Sequence, residues 1–495
     1  MSQDTASVMN ETVAERLDLN QVRVDPAWAM RVPAALAIRR QVLAFACVGD
    51  EVCVAHARPL DAGCTAALKK CLKLPLKTFL AEPESLKQAL ARLYTLRDET
   101  AARTTGDETE SAVSLCDELL NAAIMQQASD LHIDPAEHET LVRIRVDGDL
   151  RDYRPIPAAL HAAMISRFKV LSGMDIAERR APQDGRFRRE ASGGKYIDIR
   201  VASLPTRHGE RMTLRFLAAQ TESLTLERLG MADDDLVKFA HAISRPHGLV
   251  LITGPTGSGK STTLYAGLRR LVAGGSFNVI TIEDPIEYEM QRVAQVEVDS
   301  ADKVSFAKAL RSVLRHDPDI VMIGEIRDAE TADVAIKAAL TGHLVLSTIH
   351  TNNAASAVTR LVDMGVDRFL IAATIRLCVA QRLVRRLCSH CRKPRPMTEA
   401  EAVMMGDATQ AGKTVYDAKG CHFCANRGYV GRLGVFELLA VDQSLSSLIA
   451  SGADEATLLM HAHQHGMRQL SDDGLHKLFS GQTSPAEILS AVTLW

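Results

Sequence analysis

The chain has 495 residues, a length that suggests about three domains at the usual ~150 residues apiece. Hydrophobic residues make up 46% and charged residues 24%, and 58 Lys+Arg against 61 Asp+Glu leave a net charge of −3. This ordinary globular balance excludes a disordered chain and a strongly basic nucleic-acid coat, and aromatics at 4% are too scarce for base stacking to be the main purpose.

No run of about 18 apolar residues predicts a membrane-spanning helix. Met1–Leu17 carries Asp4, Glu11 and Glu15 where a signal peptide would have its apolar core. The chain is therefore expected to be cytosolic, where ten cysteines do not make a disulfide framework. Five cysteines are scattered over the first 116 residues, and four form two close pairs near the C-terminus.

In chain order, residues 1–96 mix apolar and polar stretches without a catalytic signature and read as a small α/β or α+β module. Cys47, Cys53, Cys64 and Cys71 follow at gaps of six, eleven and seven, a spacing better suited to buried thiols than to metal ligands. Residues 97–112, RDETAARTTGDETESA, hold no large apolar side chain and read as a linker. Val113, Cys116, Leu119, Leu120, Ala123 and Ile124 then recur at helical spacing. Leu131–Asp134 reads as a strand, and Asp147-Gly148-Asp149 marks a hairpin between Val142–Val146 and Leu150–Tyr153. A helix around Ile165–Leu171 and a loop at 181–186 follow. Two alternating strands come next, with Arg200 opposite the face of Ile199 and Val201, and Arg215 opposite that of Leu214 and Phe216. Residues 113–218 thus form a middle α+β domain, and 219–240 a second connector to the C-terminal region, 241–495.

That region opens on chemistry. Gly254-Pro255-Thr256-Gly257-Ser258-Gly259-Lys260-Ser261 fits the phosphate-loop pattern GxxxxGK[ST]. Before it, Leu249–Thr253 reads as a buried parallel strand; after it, Thr262–Leu271 reads as a helix. In that context glycines let backbone N–H groups close around phosphate oxygens, Lys260 reaches the β- and γ-phosphates and Ser261 ligates Mg²⁺. Three further strand-like runs end in polar clusters. Val279–Ile282 leads to Glu283, Asp284 and Glu287; Ile320–Ile323 leads to Gly324-Glu325; Leu344–Leu346 leads to the segment holding His350. Ligands collect at the carboxyl ends of parallel strands, so these clusters are expected to converge on the nucleotide. Phosphoryl transfer to water needs Mg²⁺, a water-positioning group and positive charge. Glu283, Asp284 or Glu287 suits the water-positioning role, and Glu325 the metal side.

GPTGSGKST, TIEDPIEY, DPDIVMIGEIRDAETA and TGHLVLSTIHTNN, taken in order, resemble the Walker A, Asp, Walker B and His boxes of the type II/type IV secretion ATPase superfamily. The resemblance runs from about residue 111 to the end. It implies an α/β, RecA-like P-loop domain behind the α+β middle domain, and a homo-hexamer clamping ATP near a subunit boundary. Arg200 and Arg215 match phosphate-sensing arginines of the middle domain, and Arg311 and Arg315 match a second pair. His343 and His350 match the His box, one of them as a γ-phosphate sensor. The resemblance also makes residues 1–96 a docking domain for a membrane-anchored platform, placing a cytoplasmic chain peripherally at the inner membrane.

Cys388-Ser-His-Cys391 and Cys421-His-Phe-Cys424 stand 29 residues apart, the spacing of a structural four-thiolate Zn²⁺ site. A redox CxxC is the alternative, and His390 and His422 are competing ligands. Retraction and conjugation members typically lack this insert, 388–424, so an export or assembly motor is favoured. The leading expectation is a type II secretion ATPase building a pseudopilus; the alternative is a type IV pilus assembly ATPase. A nucleic-acid transport motor fits the balanced charge poorly, and no direct nucleic-acid partner is expected. A regulatory nucleotide binder fits intact Lys260, Ser261, Glu287 and Glu325 poorly.

Overall fold

The structure, a computed structural model, describes residues 16–94, 108–191, 195–217, 225–298 and 305–492. They form two compact units: the residues up to Phe216 with Lys419–Gly428, and Leu217–Ala418 with the residues from Tyr429 onward.

The first unit opens with a three-stranded sheet. β1 (Val42–Val48) pairs antiparallel with β2 (Glu51–His56), which pairs parallel with β3 (Leu76–Leu80). A parallel pair needs a crossover, and the helix Ala62–Leu72 supplies it. Its first turn is capped by the Asp61 carboxylate, which accepts from Cys64 N at 2.6 Å. Leu43, Phe45, Val52, Val54, Leu68 and Leu72 fill the core. Cys53 and Cys64 are buried there as free thiols, Cys47 and Cys71 are half-buried, and burial pushes the Cys53 thiol up to about 11.

A six-stranded sheet follows: β4 (Asp130–Pro135), β5 (Glu139–Val146), β6 (Asp149–Pro157), β7 (Gln183–Ala191), β8 (Lys195–Thr206) and β9 (Gly209–Leu217), in the order β6-β5-β4-β9-β8-β7. Asp147 and Gly148, both at positive φ, make the two-residue turn between β5 and β6 that the sequence predicts. The helices Glu108–Met125 and His161–Ser172 cover one face, where Leu119, Leu120 and Phe168 meet Ile133, Ile144, Val201 and Leu214. Arg200 and Arg215 alternate with those buried residues and so stand on the opposite, polar face. Two expected boundaries move. The helix begins at Glu108, inside the expected linker, whose residues 97–107 lie outside the described residues. The expected loop 181–186 becomes strand from Gln183 onward, where it pairs with β8.

The second unit is built on a seven-stranded sheet. Its strands are β10 (Gly248–Thr253), β11 (Val279–Glu283), β12 (Val293–Glu297), β13 (Ile320–Ile323), β14 (Leu344–Ile349), β15 (Ile375–Leu387) and β18 (Tyr429–Ala440). The short pair β16 (Lys393–Pro396) and β17 (Thr414–Asp417) lies in the insert. The order is β12-β11-β13-β14-β10-β15-β18, parallel except for β18 against β15. Both faces are covered. Leu249 and Leu251 enter one core, while Val250 and Ile252 enter the other, with Phe239, Leu264 and Leu268. This explains why β10 reads as an unbroken apolar run. The expected connector 219–240 is partly helical, since Asp233–Ile243 packs Phe239 into that second core; residues 219–224 lie outside the described residues.

Candidate functional site

The carboxyl edge of the parallel sheet gathers the chemistry. After Thr253 the chain turns through the phosphate loop into the helix Lys260–Ala273. Gly254, at φ +147, admits no side chain: a Cβ there would stand 2.5 Å from the Gln381 carbonyl and 2.6 Å from Ser258 Oγ. Pro255, Thr256, Gly257 and Gly259 complete the turn, and Ser261 and Thr262 follow Lys260 in the first helical turn. Lys260 donates to the carbonyls of Gly254 (2.8 Å) and Pro255 (3.1 Å). Burial pulls its pKa below the ordinary lysine value, Glu325 raises it and Arg382 lowers it further, so all three charges share one site.

Glu325, two residues past β13, meets the Arg327 guanidinium and lies 3.3 Å from His350 Nε2. Arg327 also reaches Asp284 at 3.4 Å. Its pKa is raised, chiefly by its hydrogen bond to Glu325. The carboxylate after β13 is thus joined to the acid after β11 through Arg327 and to the histidine after β14 directly. Thr348 Oγ1 donates to the Gly324 carbonyl (2.7 Å), locking the ends of β13 and β14. Glu287 is half-buried in the segment after β11.

Glu283 is differently employed. Its buried carboxylate accepts from Tyr265 OH, from Thr281 Oγ1 (2.6 Å) and from Gln295 Nε2 (3.1 Å). Three protein donors fasten it to the helix, to its own strand and to β12.

The two histidines separate. His350 stands at the carboxyl end of β14, beside Glu325. His343 precedes β14 at the amino end: its carbonyl accepts from Gly248 N (3.1 Å) and its ring meets the Ala338 carbonyl (3.0 Å) at the end of the helix Ala329–Leu340. A six-residue strand therefore separates the two, and within this chain it is His350 that stands beside Glu325.

The expected arginines have partners of their own. Arg311 is paired with Glu330 (2.7 Å), and Arg315 donates to the Arg311 carbonyl (2.8 Å). Arg215 is paired with Asp130 at 2.9 Å on the polar face of the first unit, which also holds Arg200. Motif reasoning passes over four residues of the site: Arg327, Tyr265, Gln381 and Arg382. Arg327 sits inside GEIRDAE, where an arginine two residues from a carboxylate is the available signal. The other three carry no motif.

Cys388, Cys391, Cys421 and Cys424 form a cluster whose sulfur atoms all lie within 4.8 Å of one another. Cys421 Sγ and Cys424 Sγ are 3.8 Å apart. That separation is the edge of a tetrahedron with metal–sulfur bonds of about 2.3 Å, the zinc value. Cys421 N and Gly428 N donate to Cys424 Sγ at 3.3 and 3.1 Å, as suits a thiolate acceptor. The donor set fits Zn²⁺.

Residues 105–490 match the sequence model of the family described as Type II/IV secretion system protein, and residues 14–100 match that of the MshEN domain. The chain is 40% identical over 497 residues to the type II secretion system protein E of Pseudomonas aeruginosa, a match covering 95% of this chain and 98% of the relative. It is 38% identical over 498 residues to the type IV pilus assembly ATPase PilB of Myxococcus xanthus, covering 96% and 88%. Among solved structures it is similar to the pilus retraction motor PilT with bound ADP, at TM-score 0.52 and 26% identity over 75% of this chain and 95% of that one. That likeness and the parallel sheet with its phosphate loop establish the expected RecA-like fold.

Proposed function

The chain belongs to the type II/IV secretion system protein family, and on that premise we propose that it is the ATP-hydrolysing motor of a type II secretion apparatus. One observation carries the reading. Lys260, Glu325, Asp284 and His350 converge at the carboxyl edge of one parallel sheet, in a chain that a type II secretion protein matches almost end to end. The pilus ATPase is matched over less of its own length, which favours secretion over pilus assembly.

In this reading the glycine loop holds the phosphates and Lys260 bridges β and γ. Ser261 and Glu325 would hold Mg²⁺, a hard cation suited to hydroxyl and carboxylate oxygens, which when bound neutralises charge on the phosphates. Asp284 and Glu287 orient the attacking water, with Glu283 fixing the strand beneath them. His350, held against Glu325, reports whether the γ-phosphate is in place. Arg200, Arg215, Arg311 and Arg315 act on nucleotide across subunit boundaries of a homo-hexamer; an arginine supplied in this way is worth about 10³–10⁵ in rate. Zn²⁺ on the four thiolates is structural, since no ligand position stays open. No helix among the described residues is long and apolar enough to cross a membrane. Attachment at the inner membrane, on its cytoplasmic face, therefore comes through a platform partner bound by the N-terminal module, the part matched by the MshEN domain.

Lys260→Ala tests the nucleotide reading by phosphate release: turnover is expected to vanish, and wild-type turnover in the variant would overturn it. Pull-down from the host membrane with the full chain, and with a chain lacking residues 1–96, tests the partner. Capture of a secretion platform by the full chain alone is expected; capture of a pilus platform would select pilus assembly instead.

A further inference from the structure

β15 runs beside β10 with Ala380 opposite Thr253, so the residues after Ala380 stand against the start of the phosphate loop. Gln381 is the first of them. Its carbonyl crowds Gly254, and its side-chain oxygen accepts from Thr263 Oγ1 at 2.8 Å, on the helix that follows the loop. Arg382 is the second. Its Nη1 turns back to the Gln381 carbonyl (3.1 Å) and lies 3.2 Å from where a Cβ on Gly254 would be. Its Nη2 reaches across to the Asn352 carbonyl at 2.9 Å.

Asn352 belongs to the loop directly after His350, and that loop is tied down along its length. Thr351 N donates to Thr253 Oγ1 (2.7 Å), Asn353 Nδ2 donates to Glu455 (2.7 Å), and Ala354 N donates to the buried Glu437 (2.8 Å). Arg382 thus spans from the first glycine of the phosphate loop to the middle of the segment that carries His350. A guanidinium suits such a bridge, because it is planar, always charged, and has donors in a fixed fork that can hold two carbonyls at once.

We propose that Arg382 is a positioning residue for hydrolysis, setting the height of the His350 loop over the phosphate loop and so the placement of His350 against Glu325. The inference rests on the ATPase reading of the site. Arg382 acts through His350, so its loss slows the chemical step without weakening the phosphate cradle. In reactions governed by placement, a shift of about 1 Å costs about 10²-fold.

The test uses the full chain with Arg382→Met, which keeps the aliphatic stem, and Arg382→Lys, whose ammonium can still donate to the Asn352 carbonyl. Steady-state phosphate release gives kcat and KM, and a fluorescent ATP analogue gives affinity. Arg382→Met is expected to lower kcat at least about tenfold with KM and affinity within about threefold, and Arg382→Lys to restore kcat to within about threefold of wild type. A raised KM at unchanged kcat, an equal loss in the lysine variant, or no effect in either would overturn the proposal. Should Arg382→Met lack a cooperative melting transition, Arg382→Gln, which stays polar but is too short to reach the Asn352 carbonyl, decides by the same kcat-against-KM split. Absence of turnover by the wild-type chain would overturn the ATPase reading itself, and this inference with it.

Discussion

Carboxylates that look alike in sequence part company once their donors are counted. Glu283 ends β11 and Glu325 lies two residues past β13, but Glu283 is consumed by Tyr265, Thr281 and Gln295, while Glu325 faces Arg327 and His350. Tyr265→Phe removes one donor from a buried charge. It is expected to destabilise the fold by about 1–3 kcal/mol, read as a shift in the denaturant midpoint. The two histidines differ in the same way: His350→Ala is expected to cut turnover at least about tenfold, and His343→Ala to leave it within about twofold, both read by phosphate release. Equal losses would return His343 to the site. Their separation was only partly available in the sequence, which reads as strand over Leu344–Leu346; β14 runs over six residues, and at about 3.3 Å per residue it puts its two ends about 20 Å apart. Gln381 and Arg382 were not available. They sit mid-strand in VAQRLV, and only the pairing of Ala380 with Thr253 brings them to the phosphate loop. Register between strands distant in sequence leaves no local trace.

Among elements, those with a strong local cause were legible. The phosphate loop lies between a strand and a helix as its pattern requires, and the Asp147-Gly148 turn closes its hairpin. Boundaries lacking such a cause moved. Gln183–Arg186 holds turn-forming residues yet is strand, because β8 offers it an edge. Asp233–Ile243 is helical, because three aspartates in its first turn suit the helix dipole and Phe239 packs into the core. The cysteine pairs were legible as a set, since CxxC spacing is itself the geometry of a metal knuckle. Elemental analysis is expected to find about one zinc per chain, and Cys391→Ser to remove it, with loss of the protein's resistance to proteolysis within 388–428. Undiminished zinc in that variant would place the metal elsewhere.

For the whole molecule, near-neutral charge and scarce aromatics point away from nucleic acid. Arg200 and Arg215 belong to the first unit and the phosphate loop to the second; the role proposed for these arginines is one of a ring of subunits. Turnover per chain is therefore expected to rise with protein concentration as the hexamer forms, followed by phosphate release alongside sedimentation. Constant turnover from a proven monomer would contradict the ring.

The insert leaves the sheet at Leu387 and returns at Tyr429, and those two residues face each other across β15 and β18. Whatever lies between them hangs from a hairpin already closed by its own ladder. The ladder of β15 and β18 ends at that pair, so a change of length inside the insert is taken up beyond the last rung and leaves the register of the sheet as it is.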